Sequence, residues 1–413
     1  MIALERNFRP EDFRKSAGTD LRCYESRVGG VLTLNQKNMN WDVICFSHLR
    51  WDFVYQRPQH LMSRAARIHR VFFVEEPIVD NQVGLEIHQR QENLWVIVPH
   101  LSHEMDEASK LNHQRESLAK LLTTMNVEDY IAWYYTPMAL PIGQHLSPLA
   151  TVYDCMDELS AFKFAPPELK TMEQQLLQKS DVVFTGGYSL YEAKKDHHSN
   201  IYAFPSSIDF DHFSKARRAL DEPADQASIP HPRIGFCGVI DERMDVQLVG
   251  EIARKRKDWH IVMIGPVVKI DVGTLPRLDN IHYLGMKRYE ELPDYFSGWD
   301  MAIMPFAINE STRFISPTKT PEYLAAGRPV ISTPIHDVVR HYGSVVNIAS
   351  TSADFVSAGE KIIAHGNICL EKIDEILSEN SWERTWKKME KIVSNAVENF
   401  ITNRTLKDRK TYV

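Results

Sequence analysis

The chain is built from short, almost purely apolar runs that alternate with amphipathic stretches of helical spacing. Val43-Ile44-Cys45-Phe46, Val71-Phe72-Phe73-Val74 and Trp95-Val96-Ile97-Val98 are the first of these runs. Strands apolar on both faces are those of a parallel sheet covered by helices on each side. Tyr130 to Tyr135, Ala150 to Tyr153, Asp181 to Thr185 and Ile201 to Phe204 continue the series. Helical patterns lie between them, from Pro58 to Ile68, Leu111 to Met125, Glu168 to Lys179 and Ser189 to Asp196. Pro58 suits a first helical position, where its missing N–H would be unpaired in any case.

The texture then breaks. Residues 214–232 carry Arg217, Arg218, Asp221, Glu222, Pro223, Asp225, Pro230 and Pro232 with no apolar period, as expected of an interdomain link. It restarts with strands at Arg233 to Cys237, His260 to Ile264, Ile281 to Leu284, Met301 to Met304 and Val330 to Ser332. Helices are expected over Val246 to Arg256, Tyr289 to Trp299, Pro321 to Ala326, Asp354 to Ala364 and Trp382 to Ala396. The reading is an α/β protein of two doubly wound, Rossmann-like domains facing a cleft. Its parts are an extension over 1–39, a first domain over 40–213, the link over 214–232, a second domain over 233–380, and a helix and tail over 381–413. The final helix could pack on either domain.

A length of 413 residues suits two or three domains. Lys and Arg total 48 against 55 Asp and Glu, a balance that argues against general nucleic-acid binding. No apolar run reaches the roughly 20 residues of a membrane span, and the charged N-terminus has no secretory character. The five cysteines are scattered without a C-x-x-C pair, so neither a zinc site nor a disulfide framework is expected. A cytoplasmic setting follows. Arg64, Arg67, His69 and Arg70 read as a solvated helix face, the alternative being contact with anionic lipid.

Ligands of such sheets sit beyond the carboxyl ends of the strands. Two segments qualify. Gly235-Phe236-Cys237-Gly238-Val239-Ile240-Asp241-Glu242-Arg243 lies between a strand and a helix, where Gly238 lets the backbone approach a phosphate and Arg243 adds charge. The plainer alternative is a tight turn with a solvated arginine. The second segment runs from Phe306 to Val330. Its Ser316-Pro317-Thr318-Lys319-Thr320 places hydroxyls and a lysine before a helix, as suits a diphosphate. Glu322 within that helix suits two neighbouring sugar hydroxyls, or else complements the helix dipole.

Ser316 to Val330 resembles the nucleotide-sugar-dependent glycosyltransferases of the GT-B fold, group 1, family-4-like type. The resemblance implies that Lys319 faces the donor diphosphate and Glu322 the nucleotide ribose. Asn280 to Gly285 is similar to the strand and glycine before the base-binding loop, which would put Met286 and Lys287 near the base. Phe204 to Asp209 with Phe213 resembles the interdomain crossing. Trp41 to Pro77 and Val152 to Glu158 resemble a bacterial polysaccharide-type subset. Gly238, Arg243, Gly265, Ser316, Thr318 and Thr320 complete the expected donor set.

For the acceptor side, Asp157 after a first-domain strand is the best carboxylate to meet an acceptor hydroxyl, with Arg57 and His60 as further catalytic candidates from the cluster His48, Trp51, Arg57 and His60. A structural role is the alternative for Trp51 and Arg57. The family often has two glutamates eight positions apart. Here Phe314 stands eight before Glu322, and the nearest acid is Glu310. The phosphate-binding Arg and Lys pair after the first strand is reduced to Arg243. Asp209-Phe210-Asp211 mimics a metal-binding D-x-D but lies in the crossing, so no metal is expected, and no cofactor.

The resemblance implies sugar transfer, with retention, from a nucleotide-diphosphate sugar to a carbohydrate or lipid-linked acceptor, in cell-envelope polysaccharide or glycolipid synthesis. Arg243, Lys319 and helix N-termini would stabilise the leaving group. The alternatives are a nucleotide-sugar epimerase on the same fold and a catalytically silent binding protein.

Overall fold

The computed structural model describes residues 41–218, 220–366 and 368–411, so the expected N-terminal extension and Cys23 lie outside the described residues. The first sheet contains β1 (Asp42–Ser47), β2 (Val71–Glu75), β3 (Ile78–Asp80), β4 (Gly84–Gln91), β5 (Leu94–Ser102), β6 (Tyr130–Tyr134), β7 (Ala150–Cys155), β8 (Val182–Thr185) and β9 (Ile201–Ala203). Their order is β3-β5-β2-β1-β6-β7-β8-β9, and all of these pairs are parallel. The exception is β4, which folds back antiparallel on β5. Helices α1 (Arg57–Ala65), α2 (Glu107–Thr124), α3 (Leu140–Gly143), α4 (Leu169–Lys179) and α5 (Tyr188–Lys194) complete the βα series.

Two short helices, α6 (Phe210–Phe213) and α7 (Ala224–Ala227), lead into the second sheet. Its strands are β10 (Arg233–Cys237), β11 (His260–Ile264), β12 (Ile281–Gly285), β13 (Met301–Met304), β14 (Val330–Ser332) and β15 (Asn347–Ile348). They run β12-β11-β10-β13-β14-β15, again parallel. With them go α8 (Val246–Lys255), α9 (Leu292–Ser297), α10 (Lys319–Ala325), α11 (His336–Tyr342), α12 (Ser352–His365) and α13 (Leu370–Ser378). The last helix is α14 (Trp382–Thr411).

Each sheet buries apolar side chains on both faces, in separate clusters. One cluster of the first sheet includes Trp382, Trp386, Met389, Val393 and Val397. The final helix therefore crosses back and forms a wall of the first domain. The outward and return crossings pair with each other. Ile208 N–H donates to Asn380 O at 2.8 Å, and Trp382 N–H to Ile208 O at 3.3 Å.

Gln226 and Glu222, within the stretch expected from composition as a link, pack on the second domain. Gln226 is fully buried, donating to Tyr295 O at 2.9 Å and accepting from the Trp299 indole at 3.0 Å. Arg233 extends from the start of β10 to Ile229 O at 2.7 Å and to Glu222 at 2.6 Å.

In both sheets the strand order reverses beside the first strand of the domain, at β1/β6 and at β10/β13. Loops leaving such a pair diverge and open a crevice. The two crevices face each other, and the candidate site lies between them.

Candidate functional site

Three glycines shape the floor of the second-domain crevice. Gly238, Gly265 and Gly285 have φ of +157, +137 and +69°, a region that L side chains rarely adopt. Their backbones are laced together, with Gly238 N–H on Ile264 O at 2.8 Å and Gly265 N–H on Gly285 O at 2.9 Å. A Cβ on Gly265 would stand 1.9 Å from Gly238 O.

Helix α10 is fastened over this floor by Tyr323. Its buried hydroxyl accepts the Cys237 N–H at 2.7 Å and donates to Cys237 O at 3.1 Å, tying the helix to the end of β10. The helix stops where Gly327 takes φ +70°.

Two adjoining hollows result. The larger, about 390 Å³, is lined by Gly238, Gly265, Met286, Lys287, Lys319 and Glu322, with Tyr289 beside them. The first domain contributes Trp51 to Tyr55. The smaller, about 110 Å³, is lined by Arg57 and Asp157 from the first domain and by Arg243, Ser316, Thr318 and Lys319 from the second. Gly238 and Lys319 belong to both and mark the junction.

Glu322 is 6% exposed. Its nearest charged neighbour is Lys319, Nζ to Oε2 at 4.0 Å, and among the described residues no side chain or backbone group donates a hydrogen bond to its carboxylate. Burial pushes its pKa up, and Lys319 pulls it back. A buried carboxylate without a donor is costly, and this one opens only into the hollow. Lys319 otherwise donates to Thr318 Oγ1 at 3.2 Å.

Asp157 is half-buried in the smaller hollow, and no hydrogen bond engages its carboxylate among the described residues. Burial pushes its pKa up to about 6. Arg243 opposes the rise and Asp241 adds to it. Arg243 donates from Nε to both Asp241 oxygens at 3.0 Å and from a terminal nitrogen at 2.6 Å.

Other expected residues have partners of their own, including Arg57 and Lys287, which line the hollows. Arg57 is 2% exposed and forms a two-oxygen pair with Asp154, at 3.0 Å to each, while donating to Phe204 O at 2.7 Å. His60 is buried with its ring stacked on Trp382 at 4.5 Å, and burial pushes its pKa well down. It lines neither hollow. Thr320 is fully buried, its hydroxyl on Met304 Sδ at 3.3 Å. Lys287 pairs with Asp225 at 2.5 Å at the rim. Asp209 accepts the His212 N–H at 3.4 Å as the cap of α6. Arg64 and Arg67 meet Glu383, and Arg70 meets Asp42.

Phe314 and Glu310 lie outside both hollows. Phe314 packs on the first-domain core, and together they line a separate cavity beside α4 and α5. Sequence reading missed Tyr55 and Tyr289, whose rings meet across the cleft at 4.6 Å. No local signal marks them, since they are more than 200 positions apart.

Residues 231–365 match the family described as "Glycosyl transferases group 1". A putative teichuronic acid biosynthesis glycosyltransferase, TuaH of Bacillus subtilis (strain 168), is 25% identical over 277 residues, spanning 60% of this chain and 68% of the relative. Sucrose-phosphate synthase from Thermosynechococcus elongatus superposes with a TM-score of 0.63 at 12% identity, covering 86% of this chain and 99% of that one. Anabaena HepE, solved in complex with UDP and glucose, gives 0.62 at 10% identity, covering 86% and 100%. The chain has the two-domain GT-B fold of these solved structures, and residues 231–365 within it match the glycosyl transferases group 1 family. The match lies in the second domain, and the relative TuaH is named for teichuronic acid biosynthesis.

Proposed function

We propose that the protein transfers a sugar from a nucleotide-diphosphate donor to an acceptor hydroxyl in the synthesis of a cell-envelope polysaccharide or glycolipid, with retention and without a metal. The observation that carries this reading is the Glu322 carboxylate, buried in the larger hollow with no hydrogen-bond donor supplied by the described residues. Two adjacent ribose hydroxyls are the complement such a group lacks. Lys319, one turn away and shared by both hollows, then meets the diphosphate. Met286 and Lys287 border the base, and the sugar points into the smaller hollow. The solved HepE complex with UDP and glucose supports the donor class. So does the E. coli trehalose-6-phosphate synthase structure, which holds UDP-2-fluoro glucose. A related trehalose-6-phosphate synthase structure, described for glycosyl transfer with retention, supports the stereochemistry. TuaH's name supports the envelope setting.

In the reaction the bond from the anomeric carbon to the diphosphate oxygen breaks, and the acceptor oxygen bonds to that carbon. Lys319 and Arg243 stabilise the charge growing on the departing diphosphate, an interaction strongest in the transition state. Asp157 as carboxylate accepts a hydrogen bond from the acceptor hydroxyl and orients it. Under retention the proton ends on the departing diphosphate.

Calorimetric titration with nucleoside diphosphates tests the donor half. Glu322→Ala should weaken the cognate diphosphate roughly 10- to 150-fold, the worth of a charge-assisted hydrogen bond. Lys319→Ala should also lower kcat. Unaltered affinity in both folded variants would move the donor elsewhere. Activity that EDTA abolishes and magnesium or manganese restores would overturn the metal-free mechanism.

A further inference from the structure

The first-domain segment after Asp157 reaches across the cleft and carries Phe162 between two cations of the second domain. The Arg243 guanidinium carbon and the Lys269 Nζ each lie 5.2 Å from the Phe162 ring centroid. The next residue closes the crossing, with Lys163 N–H donating to Glu242 at 3.3 Å. Such distances are those of cation–π attraction, in which the negative face of the ring holds the charge.

Lys269 is unusual in two independent respects. Among the described residues it makes no hydrogen bond and no close ion pair; besides the ring, the Asp157 carboxylate and His48 lie within its electrostatic reach. Its backbone also adopts φ +62°, a left-handed conformation uncommon for a side chain of this kind. Arg243 gives its hydrogen bonds to Asp241, with Asp157 and Glu242 also within electrostatic reach, and among the described residues its other terminal nitrogen makes no hydrogen bond. Two like charges converging on one ring repel each other, and the carboxylates of Asp241, Glu242 and Asp157 offset part of that repulsion. A multiply charged anion between them and the smaller hollow, which Arg243 lines, would remove that repulsion.

We infer that Phe162 is a positioning residue for the donor diphosphate, holding Arg243 and Lys269 toward it, and that Lys269 supplies the second cation missing from the turn after β10. The inference rests on the donor reading above. It assigns the phosphate pair to two different loops, the one after β10 and the one after β11, joined by an aromatic ring from the opposite domain. The diphosphate is then fully gripped only when the acceptor domain is in place.

The test uses the full chain and four nucleoside diphosphates, of uridine, guanosine, adenosine and thymidine. The tightest of them is measured by calorimetry, and its parent nucleoside by ligand-detected NMR. Phe162→Leu and Lys269→Met should each weaken the diphosphate about 5- to 30-fold and leave the nucleoside unchanged. Phe162→Trp, which keeps a ring face, should stay within about twofold of the unaltered protein. The double variant Phe162→Leu/Lys269→Met should be weaker by less than the product of the two, because the ring acts partly through the lysine. Equal diphosphate affinity in Phe162→Leu, or equal losses for nucleoside and diphosphate, overturns the inference while the donor reading stands. Failure of the unaltered protein to bind any of the four overturns both.

Discussion

Asp337 of the second domain caps a helix of the first. Its Oδ1 accepts the Ser189 N–H at 3.1 Å and its Oδ2 the Tyr188 N–H at 3.0 Å, and it also receives the Ser189 hydroxyl. The approach depends on Gly187, where a Cβ would stand 2.4 Å from Asp337 Oδ2 and 2.9 Å from the Ser316 side chain. A second-domain carboxylate thus satisfies backbone donors that would otherwise be orphaned at the start of α5, right beside the smaller hollow.

Asp337→Ala should loosen the closed arrangement. Loss of a cap of this kind costs about 1–2 kcal/mol, and the exposed Arg340–Glu192 pair at 2.6 Å adds little in compensation. Small-angle scattering should report a larger radius of gyration, with a raised acceptor KM. An unchanged radius in the variant would mean that the cap does not govern closure.

The Arg57–Asp154 pair behaves differently because both members are buried. Asp154→Asn or Arg57→Met alone strands a charge in the first-domain core, and urea unfolding should show a loss of about 3–5 kcal/mol. Replacing both with apolar residues of similar volume should recover much of it. A single variant within about 1 kcal/mol of the unaltered protein would contradict the burial argument.

Two glycine substitutions should separate folding from binding. Gly265→Ala drives a methyl into the backbone at Gly238 O, 1.9 Å away, which has no room to move. Gly238→Ala meets instead the Lys319 Cε at 2.9 Å, near the end of a flexible side chain. The first should lower Tm sharply. The second carries its own backbone strain and should weaken diphosphate binding more than its Tm suggests. A reversed order would sink this assignment of the two contacts.

The pKa of Asp157, pushed up to about 6 by burial, gives the acceptor side a pH signature. The role proposed for Asp157 requires its carboxylate form, so kcat/KM should fall as pH drops through about 6, approaching tenfold per unit below it. Asp157→Asn should lower activity and remove that limb. A limb that persists in the variant belongs to another group.

The apolar strands were legible because burial on both faces leaves no other composition for a run such as Val71 to Val74. β4 was not. It is largely exposed, and its residues, Gly84 to Gln91, are mostly polar, so only its pairing with β5 identifies it. The burial of Gln226 within the expected link was not legible for a related reason: charge and proline suggest solvent, yet its polar atoms are satisfied by Tyr295 and Trp299. The part of the candidate site around Lys319 was legible because Ser316 to Glu322 is contiguous on one loop and helix. Phe162, Lys269, Tyr289 and Asp337 were not, because each acts through a contact far away along the chain. Arg57 and His60 show the converse. Polar residues near a cleft invite a chemical role; in the fold Arg57 lines the smaller hollow while paired with Asp154, and His60 stacks on Trp382 outside both hollows.

The return of α14 to the first sheet has a consequence for the order of assembly. Residues forming the second sheet and its clusters are contiguous and emerge from the ribosome together. The first domain emerges earlier but lacks Trp382, Trp386, Met389, Val393 and Val397 until the second has been made. The half translated first is therefore the half completed last. During synthesis an apolar groove beside Trp41, Leu61 and Trp133 stays open until the final helix arrives to fill it.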